Sequence, residues 1–168
     1  KREAMLTEDE YYSIIDRKTA GLFSLCTEIG ARLASADQPT IEKAAQLGRA
    51  LGMAYQITDD VLDYTATDEA WGKPLGGDLA EGKQTLPLVT VWQKAHPDDR
   101  RELQALMGNG RDIEKVLEII KRYDGIAYAQ SRARYYKDQA VLIAHKIADE
   151  KKARQFEQVT DAVLERTF

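Results

Sequence analysis

The sequence predicts an all-α protein. Glycine (11) and proline (4) are sparse among the 168 residues, and apolar residues recur every three to four positions almost throughout, which leaves strands little to work with. The first helix opens at Thr7-Glu8-Asp9-Glu10, a capping box in which the Thr7 hydroxyl and the Glu10 carboxylate satisfy free backbone donors. Its apolar face runs through Tyr12, Ile15, Thr19, Leu22, Phe23, Cys26, Ile29 and Leu33. The turn at 35–39 ends it, and Thr40 is expected to cap the next helix, which carries Ile41, Ala44, Leu47, Leu51, Ala54, Ile57, Val61 and Leu62 to about Tyr64. Periodicity stops over 65–85. Helices are expected again near 86–95, 98–107, 112–123 and 126–149, with a last amphipathic segment at 153–166. One helical domain over 1–168 is expected.

Composition narrows the function. With 43% hydrophobic and 31% charged residues, the chain can build both a core and a water-facing surface, and neither disorder nor a membrane span fits. Lys+Arg 24 against Asp+Glu 28 gives a net charge of −4, the wrong sign for a dedicated nucleic-acid binder, so no nucleic-acid partner is expected. A single cysteine, Cys26, excludes an intrachain disulfide and is expected to be a small core residue. His96 and His145 lie far from it and from each other, so a bound metal would be held by oxygen. No apolar run reaches membrane-helix length and the first residues are not a secretion signal, which makes the cytoplasm the expected compartment. Met5 is internal and the chain opens on charge as if in mid-element, as a piece of a longer chain would.

The stretch from Gly52 to Tyr64 carries the chemistry. At about 100° per residue, Gln56, Asp59, Asp60 and Asp63 share one helix face, because 59 to 63 is an i,i+4 step and 60 to 63 an i,i+3 step. The rest of the circumference is nearly all apolar, so the helix is expected to be interior and to draw three carboxylates in with it. Like charges repel, and burying each ion costs several kcal/mol unless a cation compensates. No lysine or arginine lies in this stretch. The compensation therefore comes from basic residues elsewhere or from a hard ion, and clustered carboxylates suit Mg²⁺ completed by waters and substrate phosphates. The alternative, a solvated stripe on a surface helix, sits poorly with the apolar remainder.

The glycine-rich segment that follows is long enough for a functional loop and adds Lys73, Asp78 and Lys83. Lysines among carboxylates and glycines are what a diphosphate site requires: point charges for the oxygens and a backbone that can come close. The run from Gly77 to Gln84 nearly matches a P-loop, but Gln84 stands where the metal-binding hydroxyl belongs and no buried strand precedes it. Lys18-Thr19 is a further polar element on an apolar background. The basic run at 132–137 reads as a solvated helix face.

Together, Lys18-Thr19-Ala20, then Gln56-x-x-Asp59-Asp60-x-x-Asp63, then Gly72-Lys73-Pro74-Leu75-Gly76-x-Asp78-Leu79-x-x-Gly82-Lys83-x-Thr85-Leu86-Pro87 resemble the trans-polyprenyl diphosphate synthases. The wording of the last motif is most similar to long-chain members such as octaprenyl or heptaprenyl diphosphate synthases. The resemblance implies an all-α isoprenoid-synthase bundle with two facing aspartate-rich motifs and three Mg²⁺ ions holding an allylic diphosphate. Ionisation of that diphosphate leaves an allylic cation, which isopentenyl diphosphate attacks, and proton loss completes the head-to-tail condensation. Carried over, Asp59 would be the direct magnesium ligand, with Asp60, Asp63 and Asp78 orienting its waters. Lys18, Lys73 and Lys83 would grip the departing diphosphate, and Thr19 and Gln56 would lie near the cation. A homo-oligomer, a dimer in the full-length family, and a product passed to the membrane are also implied.

The sequence departs from that pattern at its start. The family's first aspartate-rich motif should precede Lys18, and only 17 residues do. Asp98-Asp99 does not substitute, because it follows Lys18 where the family's first motif should precede it. The expectation is therefore the C-terminal half of such an enzyme, catalytically incomplete alone. The alternative is a non-catalytic helical subunit or interaction module derived from that fold.

Overall fold

A capping box starts the first ordered element, as the sequence requires. In the computed structural model, which describes residues 4–65, 76–107 and 112–164, the Thr7 N–H donates to Glu10 Oε2 at 2.8 Å and the Glu10 N–H to Thr7 Oγ1 at 3.2 Å. Helix α1, Glu8–Ile15, follows. The expected single helix to Leu33 is instead divided by a π-helical turn at Asp16–Ala20, and α2, Gly21–Leu33, continues from it. Such turns are single-turn insertions that recur at functional sites, and this one carries Lys18 and Thr19. Ser35 takes a left-handed φ of 56° to close the chain behind α2.

Helix α3 spans Gln38–Thr65, 28 residues. Its cap is Asp37, whose Oδ1 accepts the Thr40 N–H at 3.0 Å; Thr40 itself already lies in the first turn. The helix starts earlier than expected because Pro39 is at home there, where a missing N–H costs nothing. A short helix α4, Gly77–Ala80, then interrupts what reads in the sequence as loop. The remaining helices are α5 (Leu86–Lys94), α6 (Pro97–Leu106), α7 (Ile113–Arg122), α8 (Gly125–Ile147) and α9 (Glu150–Leu164). The last begins three residues before the expected segment because Asp149 Oδ1 caps it through the Lys152 N–H at 3.0 Å. Among the described residues there is no strand.

The chain divides into two compact units, Lys1–Tyr11 with Asp59–Ser131 and Tyr12–Thr58 with Arg132–Phe168. In the first, α5 is buried from Leu86 to Val91 and packs with Tyr64, Leu79, Leu103, Val116 and Ile120. In the second, Leu47, Ala140 and Ala144 form a core with Leu51, Ile147 and Phe156 around it. There the backbones of α2 and α3 come close. A Cβ added at Gly52 would meet the Ala20 Cα at 2.6 Å, and one at Gly48 would run into the Phe23 carbonyl and the Thr27 side chain. Both oxygens of Asp16 bind the Arg49 guanidinium, and this fork holds the start of the π turn to α3.

Three expectations change. None of the α2 residues is buried, and Leu22, Leu25 and Leu33 are 63%, 51% and 82% exposed, as is Cys26 largely. The apolar periodicity is real, but no described element covers that face. Arg132 is not simply solvated either: its guanidinium stacks over the rings of Tyr12, Tyr135 and Tyr136 and its Nε donates to the Tyr12 hydroxyl at 3.0 Å. No helix among the described residues is long and apolar enough to cross a membrane.

Because Gly52 faces backbone, not a flexible side-chain end, Gly52→Ala is expected to lose about 1–3 kcal/mol of stability by urea denaturation. A loss near zero would show that the helices have room to part.

Candidate functional site

The first compact unit holds the aspartate-rich end of α3. Its three carboxylates are treated differently. Asp60 is buried, 5% exposed, and accepts a 2.7 Å hydrogen bond from the hydroxyl of Tyr11, itself 2% exposed. Asp63 is half-buried and caps α4: its Oδ2 accepts the Asp78 N–H at 3.0 Å, and the nearby Gly77 and Leu79 amides favour its charged form. The Gly76 N–H closes on the Asp63 carbonyl oxygen at 2.8 Å, with Gly76 at a φ of 74° that suits glycine. Asp59 is half-exposed and has no hydrogen bond or ion pair among the described residues. The expectation that all three would be drawn inside thus holds fully for Asp60, whose donor Tyr11 is itself buried, while Asp59 and Asp63 are partly exposed.

Burial pushes the Asp63 carboxyl above its usual range, with the Asp78 charge adding to the rise and the amides of α4 opposing it. Asp78 in turn meets Lys83, whose Nζ lies 2.7 Å from Asp78 Oδ1 and 2.8 Å from Glu81 Oε2. These two partners, Asp78 first, hold the half-exposed ammonium charged well beyond neutral pH. Beyond the lysine, the Tyr64 hydroxyl and Thr85 Oγ1 share a buried 2.6 Å bond that fixes the start of α5, whose second residue is Pro87. Asp98 and Asp99 take up local duties. Asp98 pairs with Arg101, and Asp99 accepts from the Tyr123 hydroxyl at 2.6 Å and from Arg122 at 2.8 Å.

The second unit holds the other expected residues. Thr19, on the π turn, donates from Oγ1 to Gln56 Oε1 at 2.7 Å, and Gln56 is 4% exposed. Lys18, one residue earlier, is exposed. Lys73 lies outside the described residues.

Two site neighbours escaped the sequence reading. The sequence does not single out Tyr11, and Gln84 stands out in it only as the residue that spoils a P-loop. Nothing in either position's spacing signals its partner, because both contacts reach across the fold: Tyr11 to Asp60, and Gln84 Oε1 to the Leu6 N–H at 2.6 Å.

Among the described residues no three His, Cys, Asp or Glu side chains converge to hold a metal unaided. The donors are all hard oxygens, though, and an Asp59 without a partner among the described residues, beside a fixed Asp60, fits a cation such as Mg²⁺, which takes one or two carboxylates and completes its shell with water and phosphate.

This is the helical architecture of the isoprenoid synthases. The crystal structure of the polyprenyl synthase of Caulobacter crescentus, complexed with calcium and isoprenyl diphosphate, matches with a TM-score of 0.89 and 29% identity, over 99% of this chain and 52% of that one. The chain belongs to the polyprenyl synthetase family, whose model matches residues 1–123. It is 35% identical over 96% of its length to the short chain isoprenyl diphosphate synthase of Methanothermobacter thermautotrophicus, and 36% identical over 86% to the octaprenyl diphosphate synthase of Escherichia coli. The chain spans about half the length of these curated relatives, 50% and 46%.

Asp63 generates a prediction. Its folded-state carboxyl titrates above the unfolded one, so its contribution to stability is fully present in acid and is lost as pH rises through the folded value. At about pH 7, Asp63→Asn, which keeps an acceptor for the amides, should match or exceed the wild type, with the gap closing toward about pH 4. Asp63→Ala, which uncaps α4, should lose about 1 kcal/mol. Urea melts at both pH values test this, and an Asn variant weaker than the Ala variant would contradict it.

Proposed function

We propose that this chain forms the half of a prenyl diphosphate synthase that grips the departing diphosphate, in a Mg²⁺-dependent condensation of isopentenyl diphosphate with an allylic diphosphate. The observation that carries the reading is the end of α3 with α4: an Asp59 without a partner among the described residues, a buried Asp60, and Asp63 holding Asp78 and, through it, Lys83. A structural neighbour complexed with calcium and isoprenyl diphosphate supports it.

Asp59 and Asp60 would hold the metal, with Asp63 and Asp78 setting their surroundings. Bound Mg²⁺ would supply positive charge against the negative charge that develops on pyrophosphate as the allylic bond breaks. Lys83 would add a direct point charge, for which it must give up Asp78 or Glu81 to a phosphate oxygen; half-exposed and held by surface pairs each worth about 0–1 kcal/mol, it can do so cheaply. Lys18 and Lys73 would act likewise. The Thr19 hydroxyl and Gln56 amide would place their oxygens toward the allylic cation, the hydrogen bond between them fixing both orientations. Water-soluble diphosphates place this work in the cytoplasm, and an apolar product of sufficient length would pass to a membrane. The exposed stripe on α2 favours association with a second copy.

Mg²⁺ with inorganic pyrophosphate is expected to raise the melting temperature of this chain, and Asp59→Asn to reduce the rise, since a ligand bound only by the native state stabilises it. No response in the wild type would remove the reading. Supplied with both diphosphates and Mg²⁺, the 168-residue chain alone is expected to form no prenyl product in a radiolabel assay; sustained turnover would show that this half suffices.

A further inference from the structure

We propose that Tyr11 is a positioning residue for the metal site: its hydroxyl sets the orientation of the Asp60 carboxylate, and the segment before it is built as a fixed arm for that purpose. The inference rests on the diphosphate and magnesium reading above and adds a residue to it.

Asp60 is 5% exposed on a helix turn that also carries Asp59 and Asp63. A buried carboxylate needs a donor. A lysine or arginine would satisfy Asp60 but cancel the negative charge by which the turn attracts a cation. A tyrosine hydroxyl offers a short, charge-assisted hydrogen bond and adds no charge of its own, so it orients the carboxylate without neutralising it. The 2.7 Å bond from Tyr11 Oη to Asp60 Oδ2 has this form, and it joins residues 49 positions apart, so α3 alone could not supply it.

The hydroxyl is held in place from the arm. The Leu6 N–H donates to Gln84 Oε1 at 2.6 Å, the Thr7 and Glu10 box closes the first turn of α1, and Glu8 Oε1 accepts the Tyr128 hydroxyl at 2.6 Å. Three anchors within five residues of Tyr11 leave its 2% exposed ring little freedom. One of them, Gln84, directly follows Lys83, so the arm that orients the carboxylate is also tied to the lysine segment. Partners that orient a ligating carboxylate typically change metal affinity by about 10–100-fold when removed.

The test titrates Mg²⁺ at fixed inorganic pyrophosphate and reads the half-point of thermal stabilisation for wild type, Asp59→Asn, Tyr11→Phe, Asp60→Asn and the Tyr11→Phe/Asp60→Asn pair, with the metal-free melting temperature of each. Tyr11→Phe is expected to raise the half-point by about tenfold or more. In the pair, the tyrosine change should add nothing beyond Asp60→Asn, because the tyrosine acts through that carboxylate. A Tyr11→Phe protein that melts lower without metal yet keeps the wild-type half-point would reduce the tyrosine to a packing role and overturn the proposal, as would full additivity in the pair. A wild type without any response removes the parent reading and this one together, whereas a response weakened by Asp59→Asn and untouched by Tyr11→Phe overturns the tyrosine's role alone. Should Tyr11→Phe fail to fold, the Tyr11 Cζ NMR resonance of the wild-type chain decides: it is expected to shift with the same Mg²⁺ half-point, and an unmoved resonance at saturation would overturn the proposal.

Discussion

Three carboxylates within one turn at the end of α3 are the constraint around which the first compact unit is built. Left to themselves they repel, and any that is buried loses its hydration. The structure answers each differently: a neutral hydroxyl for Asp60 and the Asp78 backbone amide for Asp63, while Asp59 has no hydrogen bond or ion pair among the described residues. Neither the Tyr11 hydroxyl nor the Asp78 amide brings a full positive charge to the carboxylate that it binds. Lys83 is held one residue group further out, by Asp78 and Glu81. A divalent cation would suit the negative charge that these contacts leave at the turn.

That constraint explains α4. A four-residue helix has no stability of its own, since nucleation fixes several residues for almost no internal hydrogen bonds. Here the Asp63 carboxylate and carbonyl take up the amides at its start, and Leu79 enters the core beside Tyr64, Leu88 and Val91. The helix fixes Asp78, and Asp78 fixes Lys83. A chain of local contacts thus runs from the aspartate turn to a lysine twenty residues later, each link short and each depending on the one before.

In the second unit the governing feature is close backbone approach. Gly48 and Gly52, one helix turn apart on α3, let α2 and the π turn lie against it, and the Asp16–Arg49 fork holds the register. The Thr19 to Gln56 bond is a consequence, because a hydroxyl on so short a side chain reaches across only when the two backbones nearly touch. The widened turn and the paired glycines belong to one device.

Much of this was legible in sequence. Helix positions follow from the 3.6-residue period, and the shared face of Asp59, Asp60 and Asp63 from their spacing, because both depend only on local geometry. The spacing of the three motifs likewise carries the family. The π turn was not legible, since Asp16–Ala20 has no residue that forbids an ordinary helix and the distortion comes from packing. Nor was the exposure of Leu22, Leu25 and Leu33: an apolar stripe says that a face wants cover, and only the assembled chain shows whether cover is there. What tertiary structure alone decided is which group neutralises which. Tyr11 and Asp60 stand 49 residues apart and Leu6 and Gln84 78 apart, and no local periodicity connects such pairs. Sequence set the charges and their spacing along each helix; the fold chose their partners, because a hydrogen bond depends on distance in space and not along the chain.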